Sequence, residues 1–188
     1  MQKIAPTGMV GAIFFDCICI LPNVPMFDLH QIANSMAQLQ PGDKAPNFKG
    51  FDQDGNPVSL ATFKGKKLVL FFYPQDNTPT CTVEACNLRD NYKLLKDKGF
   101  ELLGVSADSA KRHQNFIKKY NLPFPILVDT DKKVIQAYGV WGMKSLFGIR
   151  YEGIFRTTFV INEKGVIEQV LDKVQSKRHA DQILEGLK

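Results

Sequence analysis

The stretch Lys67-Leu-Val-Leu-Phe-Phe-Tyr73, closed by Pro74, decides the fold class. It is an unbroken apolar run of strand length, and a run without alternation reads as a central strand buried on both faces. Downstream of it, apolar residues at Val83, Leu88, Tyr92 and Leu95 with charges between them predict a helix from Thr82 to Lys98, capped by Gly99. Phe100 to Ser106 predicts a second strand, Ala110 to Tyr120 a second helix, Ile126 to Asp129 a third strand and Lys132 to Tyr138 a short helix. Arg156 to Ile161 and Val166 to Val174 flank Asn162-Glu-Lys-Gly165, a hairpin signal, and Ser176 opens a final helix to Leu187. Strands that alternate with helices and then end in a hairpin and a helix imply an α/β sandwich, a mixed central sheet with helices on both faces.

The chain has 188 residues and is 44% apolar, enough for one substantial core. Its 24 basic and 19 acidic residues leave a formal charge of +5, but the two signs are interleaved. The densest basic stretches, Lys64-Gly-Lys-Lys67 and Lys177-Arg178, lack aromatics arranged to stack bases, so no nucleic-acid partner is expected. The first 36 residues differ from the rest. Met9 to Leu21 is apolar but broken by Asp16, with only Lys3 before it and no small-residue cleavage site, which makes a poor signal peptide. It also falls short of the roughly 20 apolar residues that span a bilayer. The expected organisation is therefore an N-terminal extension over 1–36, disordered or lying upstream of a translation start at Met36, followed by one domain over 37–188. A cytoplasmic protein without membrane attachment is expected.

Four cysteines are too few for the disulfide framework of a small secreted domain, and they fall in two close pairs, Cys17 with Cys19 and Cys81 with Cys86. Local chemistry is the better reading. The histidines His30, His113 and His179 are isolated in sequence and no C-x-x-C accompanies them, so a structural zinc site is not expected.

Of the two pairs, the second lies where chemistry collects in open α/β sheets. Pro74-Gln-Asp-Asn-Thr-Pro-Thr-Cys81 joins the end of the buried strand to the start of the next helix. A cysteine in a first helical turn meets unpaired backbone N–H groups and the positive end of the helix dipole, which favour thiolate over thiol. Making a thiol mostly ionised at neutral pH takes about 3.4 kcal/mol. A helix start supplies about 1 kcal/mol of that, so a positive side chain is also required. Read without chemistry, Cys81 would be a small apolar residue, a role to which its Thr, Pro, Asn and Asp neighbours are poorly suited; Cys86, after Ala85, could simply face the core. On one continuous helix their Cα atoms would be about 8.6 Å apart. Disulfides rarely tolerate more than about 7 Å, so a bond between them requires the helix to unwind, which suits a bond made and broken in every cycle.

Pro74-x-x-x-Thr78-x-x-Cys81 resembles the peroxiredoxin signature P-x-x-x-T-x-x-C, and Cys86, in Thr82-Val-Glu-Ala-Cys86, resembles the resolving cysteine of the bacterioferritin comigratory protein, or peroxiredoxin Q, branch. The likeness begins at Leu39-Gln-Pro-Gly-Asp-Lys-Ala-Pro-Asn-Phe48 and runs to the C-terminal helix. It implies a thioredoxin-like fold and reduction of hydrogen peroxide and organic hydroperoxides to water and alcohols. Carried onto this chain, it implies a peroxidatic Cys81 and a Thr78 hydroxyl that holds thiolate and peroxide. Pro74 would shape and shield the loop, and Arg156 would be the required cation, in place of a surface arginine at a strand end. Glu84 would order the same network, where otherwise it would be a favourable acid in a first turn. Cys86 would form an intramolecular disulfide with Cys81, recycled by thioredoxin or a similar dithiol. No metal or organic cofactor is implied, and an intramolecular resolving cysteine permits a monomer. Thr80 departs from the pattern, since many relatives carry Gly there. Two rival readings share the fold: a thiol-disulfide oxidoreductase, which would normally carry C-x-x-C, and a non-enzymatic redox-sensing module.

Overall fold

The computed structural model describes residues 39–146 and 148–186. The predicted extension over 1–36, with Cys17 and Cys19, lies outside the described residues, as does the predicted end of the last helix at Leu187.

The chain opens with a short hairpin, β1 (Lys49–Asp52) and β2 (Pro57–Ser59), and a single 3-10 turn over Leu60–Phe63. Then come β3 (Lys67–Phe72), α1 (Pro79–Asp90), α2 (Tyr92–Asp97), β4 (Phe100–Ser106), α3 (Ala110–Tyr120), β5 (Ile126–Val128) and α4 (Lys133–Ala137). A hairpin of β6 (Trp141–Leu146) and β7 (Ile149–Ile154) precedes β8 (Thr157–Ile161), β9 (Ile167–Leu171) and α5 (His179–Glu185). Seven strands form one sheet in the order β2-β1-β5-β4-β3-β8-β9, while β6 and β7 pair only with each other. Strands β3, β4 and β5 run parallel, joined by helical crossovers; β8 and β1 flank them antiparallel. This is the mixed sheet that the strand and helix order predicted.

Strand β3 has sheet neighbours on both sides and core on both faces. Leu68, Leu70 and Phe72 point into a cluster with Ile135, Tyr138 and Phe159, whereas Val69, Phe71 and Tyr73 point into one with Ala85, Leu88, Leu95, Phe116 and Ile183. Period-two alternation thus sends every second side chain to a different core, and both cores being apolar is why the run shows no polar interruption. Helix α4 covers the first face; α1, α2, α3 and α5 cover the second. Close strand contact depends on Gly104 in β4, where a Cβ would come within 2.9 Å of the Phe71 ring.

Three expectations are corrected. The helix predicted from Thr82 to Lys98 starts earlier, at Pro79, and is broken at Asn91 into α1 and α2. Pro79 lacks an N–H that the first turn would leave unpaired anyway, and its fixed φ suits a first helical position, so the helix begins there, after an extended Thr78. At Asn91 the side-chain amide donates to the Asn87 carbonyl (2.8 Å), and the backbone leaves helical geometry for one residue. The final helix begins at His179, after a turn through Gln175 to Arg178, not at Ser176. The β1–β2 and β6–β7 hairpins went unpredicted. In the second, Met143, Ile149 and Tyr151 are exposed, so no buried face imposes an alternating pattern to read. Gly99 does cap α2 as expected, with φ of 85° in the left-handed region.

Candidate active site

The loop between β3 and α1 is held by a buried polar network centred on Asp76, which is 2% exposed. The Tyr73 hydroxyl donates to Asp76 Oδ1 (2.7 Å), His113 Nδ1 from α3 meets Oδ2 (2.7 Å), and the Asp76 backbone N–H donates to Asp108 Oδ2 (2.7 Å). Asp108 is itself held by the Ser106 hydroxyl at the end of β4 (3.2 Å) and by Arg112 (3.1 Å). Burial, and then the Asp76 carboxylate, push the Tyr73 phenol well above its ordinary pKa, so it stays a neutral donor. Two strand ends and a helix therefore fix the loop that delivers Pro74, Thr78 and the head of α1.

On α1, Cys81 is the third helical residue and is 2% exposed, which places it in the first turn, where backbone N–H groups lack carbonyl partners within the helix. Opposite it stands Arg156, immediately before β8. The antiparallel register pairs Phe72 with Thr157, so the residue before β8 is delivered to the end of β3, beside the loop into α1. Arg156 Nη2 donates to Cys81 Sγ at 3.1 Å, and Nη1 is ion-paired with Glu84 Oε2 one helical turn further along α1. The planar guanidinium thus forks between a sulfur and a carboxylate, a geometry a lysine ammonium cannot reproduce. Glu84 is almost fully buried, and its second oxygen, Oε1, lies 3.3 Å from His179 Nδ1 at the start of α5. Both atoms are buried and neither makes a hydrogen bond among the described residues, so the two face each other as a close polar approach. On its other side the His179 ring meets the Thr158 hydroxyl, with Nε2 to Oγ1 at 2.9 Å. Burial foremost, and then the charge of Arg156, push the His179 pKa down to about 3, so the ring is neutral at neutral pH.

Residues 41–170 match the AhpC/TSA family. A putative peroxiredoxin bcp of Coxiella burnetii is 47% identical over 149 residues, covering 79% of this chain and 99% of its own. The peroxiredoxin Bcp of Escherichia coli is 44% identical over 153 residues, covering 81% and 98%. The chain belongs to the AhpC/TSA family. Among solved structures, Xanthomonas campestris peroxiredoxin Q superposes with a TM-score of 0.70 at 34% identity, over 74% of this chain and 89% of that one. The peroxidoxin BcpB of Mycobacterium tuberculosis gives 0.70 at 32% identity, over 79% and 96%. The fold is thus the thioredoxin-like one of peroxiredoxins, and the enzyme class is that of thiol peroxidases, in the branch of the bacterioferritin comigratory proteins.

Within this peroxiredoxin fold the predicted residues are only partly brought together. Cys81, Arg156 and Glu84 form one contact chain. Cys86 lies on the same unbroken helix as Cys81, half-buried, and both thiols are free. The Thr78 hydroxyl donates to the Gln75 carbonyl (3.1 Å), stiffening the loop, and its carbonyl accepts the Thr82 N–H (2.9 Å). Pro74 is half-buried at the mouth of that loop. Asp76, His113 and His179 went unrecognised. Asp76 lay inside the motif, but His113 arrives from α3 and Asp108 from the loop before it, and His179 reaches Glu84 from the far end of the chain, so spacing carries no signal for either. Among the described residues no cluster of three His, Cys, Asp or Glu could hold a metal, and no helix is long and apolar enough to cross a membrane.

Proposed function

We propose that the peroxidase chemistry runs through Cys81 as peroxidatic thiolate, with Arg156 as its cation and Cys86 as the resolving thiol. What carries the reading is the 3.1 Å contact between Arg156 Nη2 and a buried Sγ at the head of a helix. A fixed positive charge and a helix start are the two features that favour thiolate over thiol. The thiolate attacks the terminal oxygen of a hydroperoxide, the O–O bond breaks, and the departing alkoxide or hydroxide takes up a proton. Sulfur gains the oxygen as sulfenic acid. The Arg156 guanidinium and first-turn N–H groups stabilise the charge as it moves from sulfur to the leaving oxygen. Thr78 turns its hydroxyl from Gln75 toward the bound peroxide, and Pro74 shields the site. Cys86 then attacks the sulfenic sulfur, water leaves, and a Cys81–Cys86 disulfide results.

Thioredoxin or a similar dithiol is the reductant, the working unit is a monomer, and the setting is the cytoplasm, where dithiols reduce the disulfide back to two thiols each turn and are themselves oxidised. Substrates are hydrogen peroxide and organic hydroperoxides, in keeping with a Xanthomonas campestris bacterioferritin comigratory protein described for its alkyl peroxide reduction activity. The test is steady-state consumption of hydrogen peroxide and of an alkyl hydroperoxide by the full chain with thioredoxin and its reductase. Turnover that Cys81→Ser abolishes is expected; turnover that survives Cys81→Ser refutes the assignment.

A further inference from the structure

We propose that His179 is a positioning residue for the peroxidatic step: by donating to Glu84 from Nδ1 it holds the carboxylate so that Arg156 keeps its second amine on Cys81. The inference rests on the roles proposed for Cys81 and Arg156. It starts from an apparent excess of negative charge: a buried carboxylate and a thiolate share a single guanidinium, and each is a competitor for it. Glu84 is 1% exposed, so its remaining oxygen is out of contact with bulk water and needs a partner in the interior. Among the described residues the His179 ring faces Oε1, with Nδ1 at 3.3 Å, and neither atom has a hydrogen-bond partner as placed. Since Glu84 is ionised against Arg156, the ring must present an N–H there, which makes Nε2 the acceptor and the Thr158 hydroxyl its donor at 2.9 Å. The carboxylate therefore dictates the tautomer, and the Thr158 hydroxyl, able to donate or accept, satisfies the nitrogen left bare. Buried and pushed down to about pKa 3, the ring supplies a dipole and not a second cation.

Two consequences follow from that arrangement. The N–H draws on the Glu84 charge, so the carboxylate takes less from Arg156 and leaves more for the sulfur. It also fixes the carboxylate plane, so the fork cannot rotate its Nη2 away from Sγ. Docking of α5 does not depend on this contact alone: the Asn87 side chain accepts from the Ala180 N–H and donates to the Lys177 carbonyl, both at 2.9 Å. Substitutions at His179 can therefore be made in a helix that is still tethered. The groups facing the ring are Glu84 from α1, Arg156 ahead of β8, Thr158 in β8 and the edge of Phe71 in β3.

The test is the single-turnover rate constant for oxidation of the reduced full chain by hydrogen peroxide, with melting temperature recorded beside it. His179→Asn can place an amide N–H where Nδ1 lies; His179→Gln reaches the Thr158 side and offers Glu84 nothing. A loss of about tenfold is expected for His179→Gln, the worth of one hydrogen bond to a charged group, with His179→Asn recovering most of it. Equal rates in the two variants, or rates that follow melting temperature and not the presence of a donor toward Glu84, overturn the proposal. Thr158→Val leaves His179 in place but removes the hydroxyl that anchors Nε2 and so the aim of Nδ1, and a several-fold slower oxidation is expected. An unchanged rate in Thr158→Val overturns the proposal even if neither histidine variant folds. Cys81→Ser run alongside keeps the two readings apart: oxidation that persists in it sinks the assignment of Cys81 and this inference with it, whereas oxidation that needs Cys81 but ignores the donor at 179 sinks only the role of His179.

Discussion

Replacing Arg156 by methionine tests the charge arrangement most directly, because the substitution keeps the aliphatic stem and deletes the fork. At the observed 3.1 Å, two unit charges in a medium of effective dielectric about 20 would interact by about 5 kcal/mol, an upper bound. The guanidinium is shared with Glu84, so the loss at sulfur is better taken as one charge-assisted hydrogen bond, about 1.5–3 kcal/mol. At about 1.4 kcal/mol per decade this becomes a ten- to roughly hundredfold fall in the second-order rate constant with hydrogen peroxide. Methionine also leaves Glu84 as an unpaired buried carboxylate one turn from the sulfur, opposing the thiolate. The double variant Arg156→Met with Glu84→Gln should therefore be faster than Arg156→Met alone. Arg156→Lys should fall between, since an ammonium carries the charge but cannot reach both partners in the planar geometry. The measurement is stopped-flow oxidation of pre-reduced protein. A rate for Arg156→Met within twofold of the parent would show that the contact with Cys81 contributes nothing to the reaction, and the electrostatic account would fall.

Cys86→Ser should still form a sulfenic acid, trapped by a dimedone-type reagent and seen by mass, while losing efficient recycling by thioredoxin; equal turnover in Cys81→Ser and Cys86→Ser would contradict the division of labour. Oxidation should lower hydrogen-exchange protection over residues 80–90 and leave 67–73 unchanged, because two cysteines on one unbroken helix cannot reach disulfide range by side-chain rotation while β3 is buried on both faces. Tyr73→Phe strands Asp76 Oδ1 in the core and should cost about 1–3 kcal/mol in urea unfolding, with slower turnover as the loop loosens. His179, depressed to about pKa 3 when folded against about 6.5 unfolded, makes the unfolded chain bind the extra proton. Stability should therefore decline as pH falls through that window, and His179→Asn should flatten the decline in denaturation series. Replacing Cys17 and Cys19 with serine should leave turnover unchanged, since both precede the family match at residues 41–170.

The strand Lys67 to Tyr73, the β8–β9 hairpin and the thiol at a helix start were all legible in the sequence because each rests on a local rule: uninterrupted apolarity, turn residues at fixed offsets, and a proline and threonine ahead of a helix. The division of roles between Cys81 and Cys86 came from the family resemblance. The break at Asn91 was not legible, since it arises from one side chain turning back on its own helix. Arg156 emerged only through the family pattern; physically it needs the antiparallel pairing of β3 with β8 to come near Cys81 at all. Asp76 with His113, and Glu84 with His179, are harder still. Each joins elements far apart in the chain, and nothing about a solitary histidine in a helix says that its ring is wholly buried against a carboxylate.

Asn87 sits next to Cys86 and clasps the start of α5 through both ends of its amide. Any opening of α1 that carries Cys86 toward Cys81 pulls on that clasp, and the same movement draws Glu84 away from His179. Contacts at the head of α5 are thus made by two neighbours of the thiol proposed to resolve. Oxidation would slacken both together, so the outline of the segment from Gln175 to Ala180 becomes a report on the redox state of the sulfurs. A reductant that touched this segment could distinguish spent enzyme from fresh before any sulfur was exchanged, and would waste few encounters on molecules with nothing to reduce.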